Sequence, residues 1–201
     1  MPETTTDELL LERAGDGDQA AFLELYERHR KPIFRFAYRV LGSIEIAEDI
    51  THDCFLSLIR KPENFRPGRA SLRTYLFSAA RNLALKHFRN QGKETTLDEV
   101  VAEPQAPLRE QPLRRLLAEE VATRVREAIG GLPPLQREAI VLFEYEGLTL
   151  SEIAEIVGTD TGAVKARLYR ARERLRAVLS PYLNSNQELN SGREIVTLRE
   201  A

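Results

Sequence analysis

The chain has 201 residues, with 29 Lys and Arg against 31 Asp and Glu, one cysteine and no tryptophan. That length holds one large domain or two small ones, and the near-neutral total gives no sign of a purely basic or purely acidic binder. One cysteine excludes an internal disulfide, and no apolar run approaches the ~18 residues of a membrane span. The start, Met1-Pro2-Glu3, does not resemble a signal peptide, so a cytoplasmic protein with no membrane insertion is expected.

Charge is unevenly spread. Residues 1–59 carry 6 basic and 12 acidic side chains, residues 60–93 carry 9 and 1, and residues 160–183 carry 6 and 2. Two basic blocks alternating with acidic stretches could grip a polyanion at two places. Helical period runs through nearly every segment and no alternating strand is found, which predicts an all-α fold of two small helical domains joined by a flexible linker.

In chain order, Asp18, Ser43 and Ser71 precede amphipathic runs at 20–30, 44–60 and 72–90, each oxygen placed to accept from the free N–H groups of a helix start. A Pro/Gly-containing loop, Lys61 to Gly68, separates the last two, and residues 15–92 read as the first domain. Residues 93–112, with Pro104, Pro107 and Pro112 among polar neighbours, read as the linker. A helix is expected from Leu113 to Ile129, a turn at Gly130-Gly131-Leu132-Pro133-Pro134, and another helix over Gln136–Tyr145. The second domain is expected to span 113–183, with 184–201 as a mobile tail.

The strongest local signal lies at 147–176. Thr149-Leu150-Ser151-Glu152 is a capping box, and Gly158-Thr159-Asp160 breaks the chain and caps the next helix. From Thr161, the residues Val164, Leu168, Ala171, Leu175 and Val178 form one apolar stripe that should face a core. Gly162, Ala166, Tyr169 and Arg170 point away, flanked by Lys165, Arg167, Arg172 and Arg174. This is a helix-turn-helix pattern, with small residues for close approach, Arg170 for a guanine edge and flanking cations for phosphates. His29, His52, Cys54 and His87 do not make a metal site: His52-x-Cys54 supplies two ligands, whereas structural zinc takes four. No glycine-rich phosphate loop or nucleophile elbow is present, and neither cofactor nor catalysis is expected of this chain.

These ordered motifs resemble the sigma-70 family of bacterial RNA polymerase initiation factors, most closely its small two-domain extracytoplasmic-function (ECF) branch. Ala47 through Phe55 looks like the family's polymerase-binding segment, Phe65 through Arg89 like its promoter-melting segment, and 132–138 with 162–172 like its upstream-promoter reader. The resemblance implies that Lys165, Ala166, Tyr169, Arg170 and Arg172 meet the −35 element. It assigns Phe65, Arg66, Arg69, Arg73, Tyr75, Arg81, Asn82 and Lys86 to the −10 element, with Phe65 and Asn82 at a pocket for an extruded base. Glu48, Asp49, His52, Asp53 and Phe55 would meet core polymerase. Partners implied are the β′ clamp helices, the β flap, promoter DNA and an anti-sigma factor. Two other readings compete: a self-sufficient NarL/LuxR-like regulator with an α/β receiver or ligand domain, and a helical adaptor for acidic proteins.

Overall fold

A computed structural model describes residues 5–66, 68–91 and 112–197, and the expected linker falls outside them apart from Pro112. The described residues form eight α-helices and no strand. Helix α1 is Asp7–Gly15, α2 Gln19–Leu41, α3 Ile44–Arg60 and α4 Leu72–Gln91, with a short 3-10 turn at Pro62–Asn64. Helix α5 is Pro112–Gly130, α6 Pro134–Ile140, α7 Leu150–Val157 and α8 Thr161–Thr197, and α6 widens into a π-turn at Val141–Tyr145.

The predicted caps are present. Asp18 accepts from the backbone N–H of Ala20 and Ala21 at 3.0 and 3.1 Å, Ser43 from Ile46 at 3.4 Å and Ser71 from Thr74 at 3.1 Å. Helices α2, α3 and α4 close around Leu25, Ile33, Phe36, Leu58, Leu76 and Phe77, and the Phe36 and Phe77 rings meet edge to face at 5.5 Å.

Helix α1 precedes the expected domain start at residue 15. It is short and only weakly amphipathic, so its period is easily missed, yet it buries Leu10 completely against α2. Its other anchor is polar: Arg28 Nη1 donates to Asp7 Oδ1 at 2.6 Å, and His29 Nε2 lies 2.7 Å from Asp7 Oδ2.

Three further expectations change. Pro112 opens α5, where its missing N–H costs nothing at the first turn. The backbone stays helical through Thr197 where a tail from 184 is expected, since a polar composition does not forbid helix. Val178 ends the apolar stripe but is 55% exposed; the core side of α8 runs out after Val164, Leu168, Ala171 and half-buried Leu175.

The two domains touch directly. Helix α4 lies against α7, and α2 against α5 and the π-turn. Two glutamates, Glu138 at 3% exposure and Glu146 at 5%, are buried at this junction.

Candidate nucleic-acid and polymerase interfaces

The helix-turn-helix is built from local devices. Thr149 Oγ1 accepts from the Glu152 N–H at 3.2 Å, and Glu152 Oε2 accepts from the Thr149 hydroxyl at 2.7 Å and the Thr149 N–H at 2.8 Å; the hydroxyl bond first, then the backbone bond, holds the Glu152 carboxyl below the usual range. Gly158 ends α7 in the left-handed region at φ 66°, where a β-carbon would be strained. Asp160 then accepts from the Ala163 N–H at 2.9 Å, which lowers its carboxyl too. A β-carbon at Gly162 would sit 2.9 Å from that same Asp160 oxygen. Glycine at 162 therefore serves the cap as well as any groove.

On the outward face of α8, Lys165, Tyr169, Arg170 and Arg174 are exposed, Tyr169 by 66%, and Ala166 is half-buried beside them. Arg172 is exposed but engaged: its Nη2 donates to Glu144 Oε1 at 2.7 Å and its guanidinium lies over the Phe143 ring at 5.3 Å. Arg167 turns inward, its Nη1 3.3 Å from Glu138.

In the N-terminal domain, Arg66 and Arg69 are exposed on the loop before α4, which turns through Gly68 at φ 85°. Asn82 and Lys86 are exposed four residues apart on α4, with Arg89 one turn on. Arg73 and Arg81 are not free for solvent. Arg81 Nε donates to Glu138 Oε2 at 2.8 Å, and Arg73 donates to the Glu146 backbone carbonyl while lying over the Phe77 ring at 5.4 Å. Phe65 departs from the expected open pocket: it is 5% exposed and meets Tyr75 edge to face at 5.6 Å. The loop closes over the core through this ring, so half-buried Tyr75, not Phe65, carries the accessible aromatic surface.

On α3, Glu48, Asp49, His52 and Asp53 are exposed, and Asp49, His52 and Asp53 share a face by helical spacing. Phe55 does not join them. It is 2% exposed and packs edge to face on Tyr26 at 4.8 Å, because position 55 falls on the buried stripe with Thr51, Cys54 and Leu58. Glu48 and His52 instead border a hollow of about 670 Å³ lined by Tyr26, Arg30, Lys31, Phe34 and Arg35. Cys54 is buried, and desolvation with the Asp53 charge pushes its thiol up to about 12, so it offers no thiolate. Among the described residues, no group of three His, Cys, Asp or Glu could hold a metal, and no helix is long and apolar enough to cross a membrane.

The sequence reading missed Glu138, Glu146 and Arg137. Glu138 and Glu146 lie on the same run as Val141 and Leu142, both fully buried, and a carboxylate on an apolar stripe signals a cation to come. Arg137 donates to the carbonyls of Val40 at 2.7 Å and Leu132 at 3.1 Å, and burial lowers its pKa.

Two helical units of this design, one with a cation-edged helix after a turning loop and one with a helix-turn-helix, define a two-domain promoter-recognition factor. Residues 25–94 match the family description Sigma-70 region 2, and residues 122–175 match Sigma-70, region 4. The chain is 31% identical to the ECF RNA polymerase sigma-E factor of Haemophilus influenzae over 91% of its own length and 100% of that protein. Among solved structures, CnrH in complex with the cytosolic domain of CnrY is similar with a TM-score of 0.64 and 27% identity, covering 87% of this chain and 97% of that one. The sigma factor RpoE, in complex with the anti-sigma factor NepR from Bartonella quintana, is similar with a TM-score of 0.62 and 27% identity, covering 75% of this chain and 91% of that one. The chain belongs to the ECF sigma factors of the sigma-70 family. Such a factor directs RNA polymerase to particular promoters and acts in transcription initiation. The α/β regulator reading fails because the N-terminal half is a sigma region 2, with no strand among its described residues.

Proposed function

We propose that α8 reads the −35 element through Lys165, Ala166, Tyr169 and Arg170, with Arg172 and Arg174 beside the phosphates. The observation that carries this is the joint exposure of Lys165, Tyr169 and Arg170 on one face of a helix whose opposite face is packed through Val164, Leu168 and Ala171. On the −10 side, Arg66, Arg69, Arg73, Arg81 and Lys86 take the backbone, while Asn82 and Tyr75 receive the extruded base. Stacking and amide hydrogen bonds are worth about 1–3 kcal/mol per base once it leaves the duplex. Phe65 supports Tyr75 from behind.

Core polymerase meets the acidic face of α3 at Glu48, Asp49, His52 and Asp53, and by family resemblance the β′ clamp helices and β flap are its contact sites. The nucleotide chemistry belongs to the polymerase, and this chain acts beside it in the cytoplasm without catalysing a reaction. An anti-sigma protein is a further expected partner, as the Bartonella relative is found in complex with one. Run-off transcription with core polymerase over a randomised promoter library tests the assignment. An Arg170→Ala variant should relax selection at one −35 position, and Asn82→Ala should weaken promoter opening while sparing polymerase binding. Unchanged start sites and unchanged selection in both would refute it.

A further inference from the structure

We infer that the cleft bordered by α2, α5 and the π-turn is a binding site for a small aryl carboxylate. The cleft holds about 300 Å³, twice the cavity of about 150 Å³ that takes up benzene in a protein core, so one or two rings fit and a peptide segment does not. Its apolar walls are the rings of Tyr38 and Tyr145 with the side chains of Val125 and Ile129. Apolar and aromatic walls with a few convergent polar groups are the composition of a small-molecule site. It uses none of the residues assigned to DNA or to polymerase.

The charges in the cleft are of one sign. Arg39, Arg126 and Arg137 line it, and none of the residues lining it is acidic. Arg39 has a carboxylate of its own: its Nη1 donates to Glu146 Oε1 at 3.3 Å, and its guanidinium lies over the Tyr145 ring at 4.3 Å. The other two find only neutral acceptors among the described residues. Arg126 Nη2 donates to the Thr123 hydroxyl at 2.8 Å, and Arg137 donates to the backbone carbonyls of Val40, Leu132 and Gly130. The Nε of each is buried without a hydrogen-bond partner. A guanidinium drawn from water and met only by dipoles, with one donor unmade, is left without an answering charge. A carboxylate supplies that charge, and arginine grips it through two parallel bonds. Arg137, tied to three carbonyls, stays in place as a fixed charge, while Arg126, held through a hydroxyl, is the side chain able to turn its fork onto the ligand.

The test uses the full chain without polymerase or DNA. The probe is 2-naphthoate, whose own fluorescence anisotropy reports binding to a chain that has no tryptophan. Saturable binding is expected, and the neutral analogue 2-naphthalenemethanol should compete about tenfold more weakly, the scale of a lost charge-assisted hydrogen bond. Arg126→Gln should weaken the naphthoate by a similar factor. Ala122→Phe, which puts a ring into the cleft from half-buried Ala122 on α5, should abolish binding. Circular dichroism establishes that each variant is folded, and the comparison of acid with alcohol on the wild-type chain decides the matter if neither variant folds. Absence of saturable binding, equal affinity for the alcohol, or undiminished binding in a folded Arg126→Gln or Ala122→Phe protein overturns the site.

Discussion

Thr149 and Glu152 satisfy each other at the start of α7, and the consequence is measurable in two ways. Thr149→Ala should cost about 1 kcal/mol of stability, read as a lowered denaturation midpoint for the C-terminal domain. Folding holds the Glu152 and Asp160 carboxyls below their ordinary values of 4.5 and 3.8, so the folded state binds fewer protons than the unfolded chain. Their contribution is whole above that range and is lost as pH falls through it. The wild-type domain should lose stability on acidification below about pH 4.5, and a Glu152→Gln variant should lose less over the same interval. Equal acid sensitivity would remove Glu152 from the account. Caps of this kind were readable from sequence because donor and acceptor lie within three residues. Phe55 and Phe65 were not, since an aromatic beside a functional motif serves equally as ligand face or core plug, and only their partners, Tyr26 and Tyr75, decide.

Elements were legible in proportion to their period. Helix α8 and the turn at Gly158 stand out because a four-three apolar stripe and an αL glycine leave few alternatives. Helix α1 escaped notice because it has few turns and one fully buried side chain, and its docking depends on Arg28 and His29, more than twenty positions away. Leu10→Ala should cost the N-terminal domain about 2–5 kcal/mol, the range for a fully buried leucine. Limited proteolysis within α1 checks this: cleavage there should accelerate, and an unchanged rate would mean that α1 contributes nothing to the fold. The π-turn at Val141–Tyr145 was likewise unreadable, because a single widened turn leaves the helical pattern intact while redirecting Glu146 inward.

At the scale of the whole molecule, a net charge of −2 conceals how cations are shared out. Arg73, Arg81 and Arg167 are engaged internally, while Lys165, Arg170 and Arg174 on α8 and Arg66, Arg69 and Lys86 near α4 face solvent. No periodicity announces this division, because Arg81 and Glu138 stand 57 residues apart and neither breaks the pattern of its own helix. Counterion release converts the division into a salt dependence: each single-strand phosphate neutralised adds about 0.7 to the slope of log affinity against log salt. Replacing the solvent-facing Arg66 and Lys86 together by Gln should therefore flatten the slope of the polymerase-bound factor on single-stranded DNA by about 1.4. Salt should leave the internal pairs in place, since pairs this deeply buried are screened far less than exposed ones. Fluorescence anisotropy across a salt series checks this: parallel slopes for wild type and the doubly substituted Arg66→Gln, Lys86→Gln factor would mean that neither cation meets a phosphate.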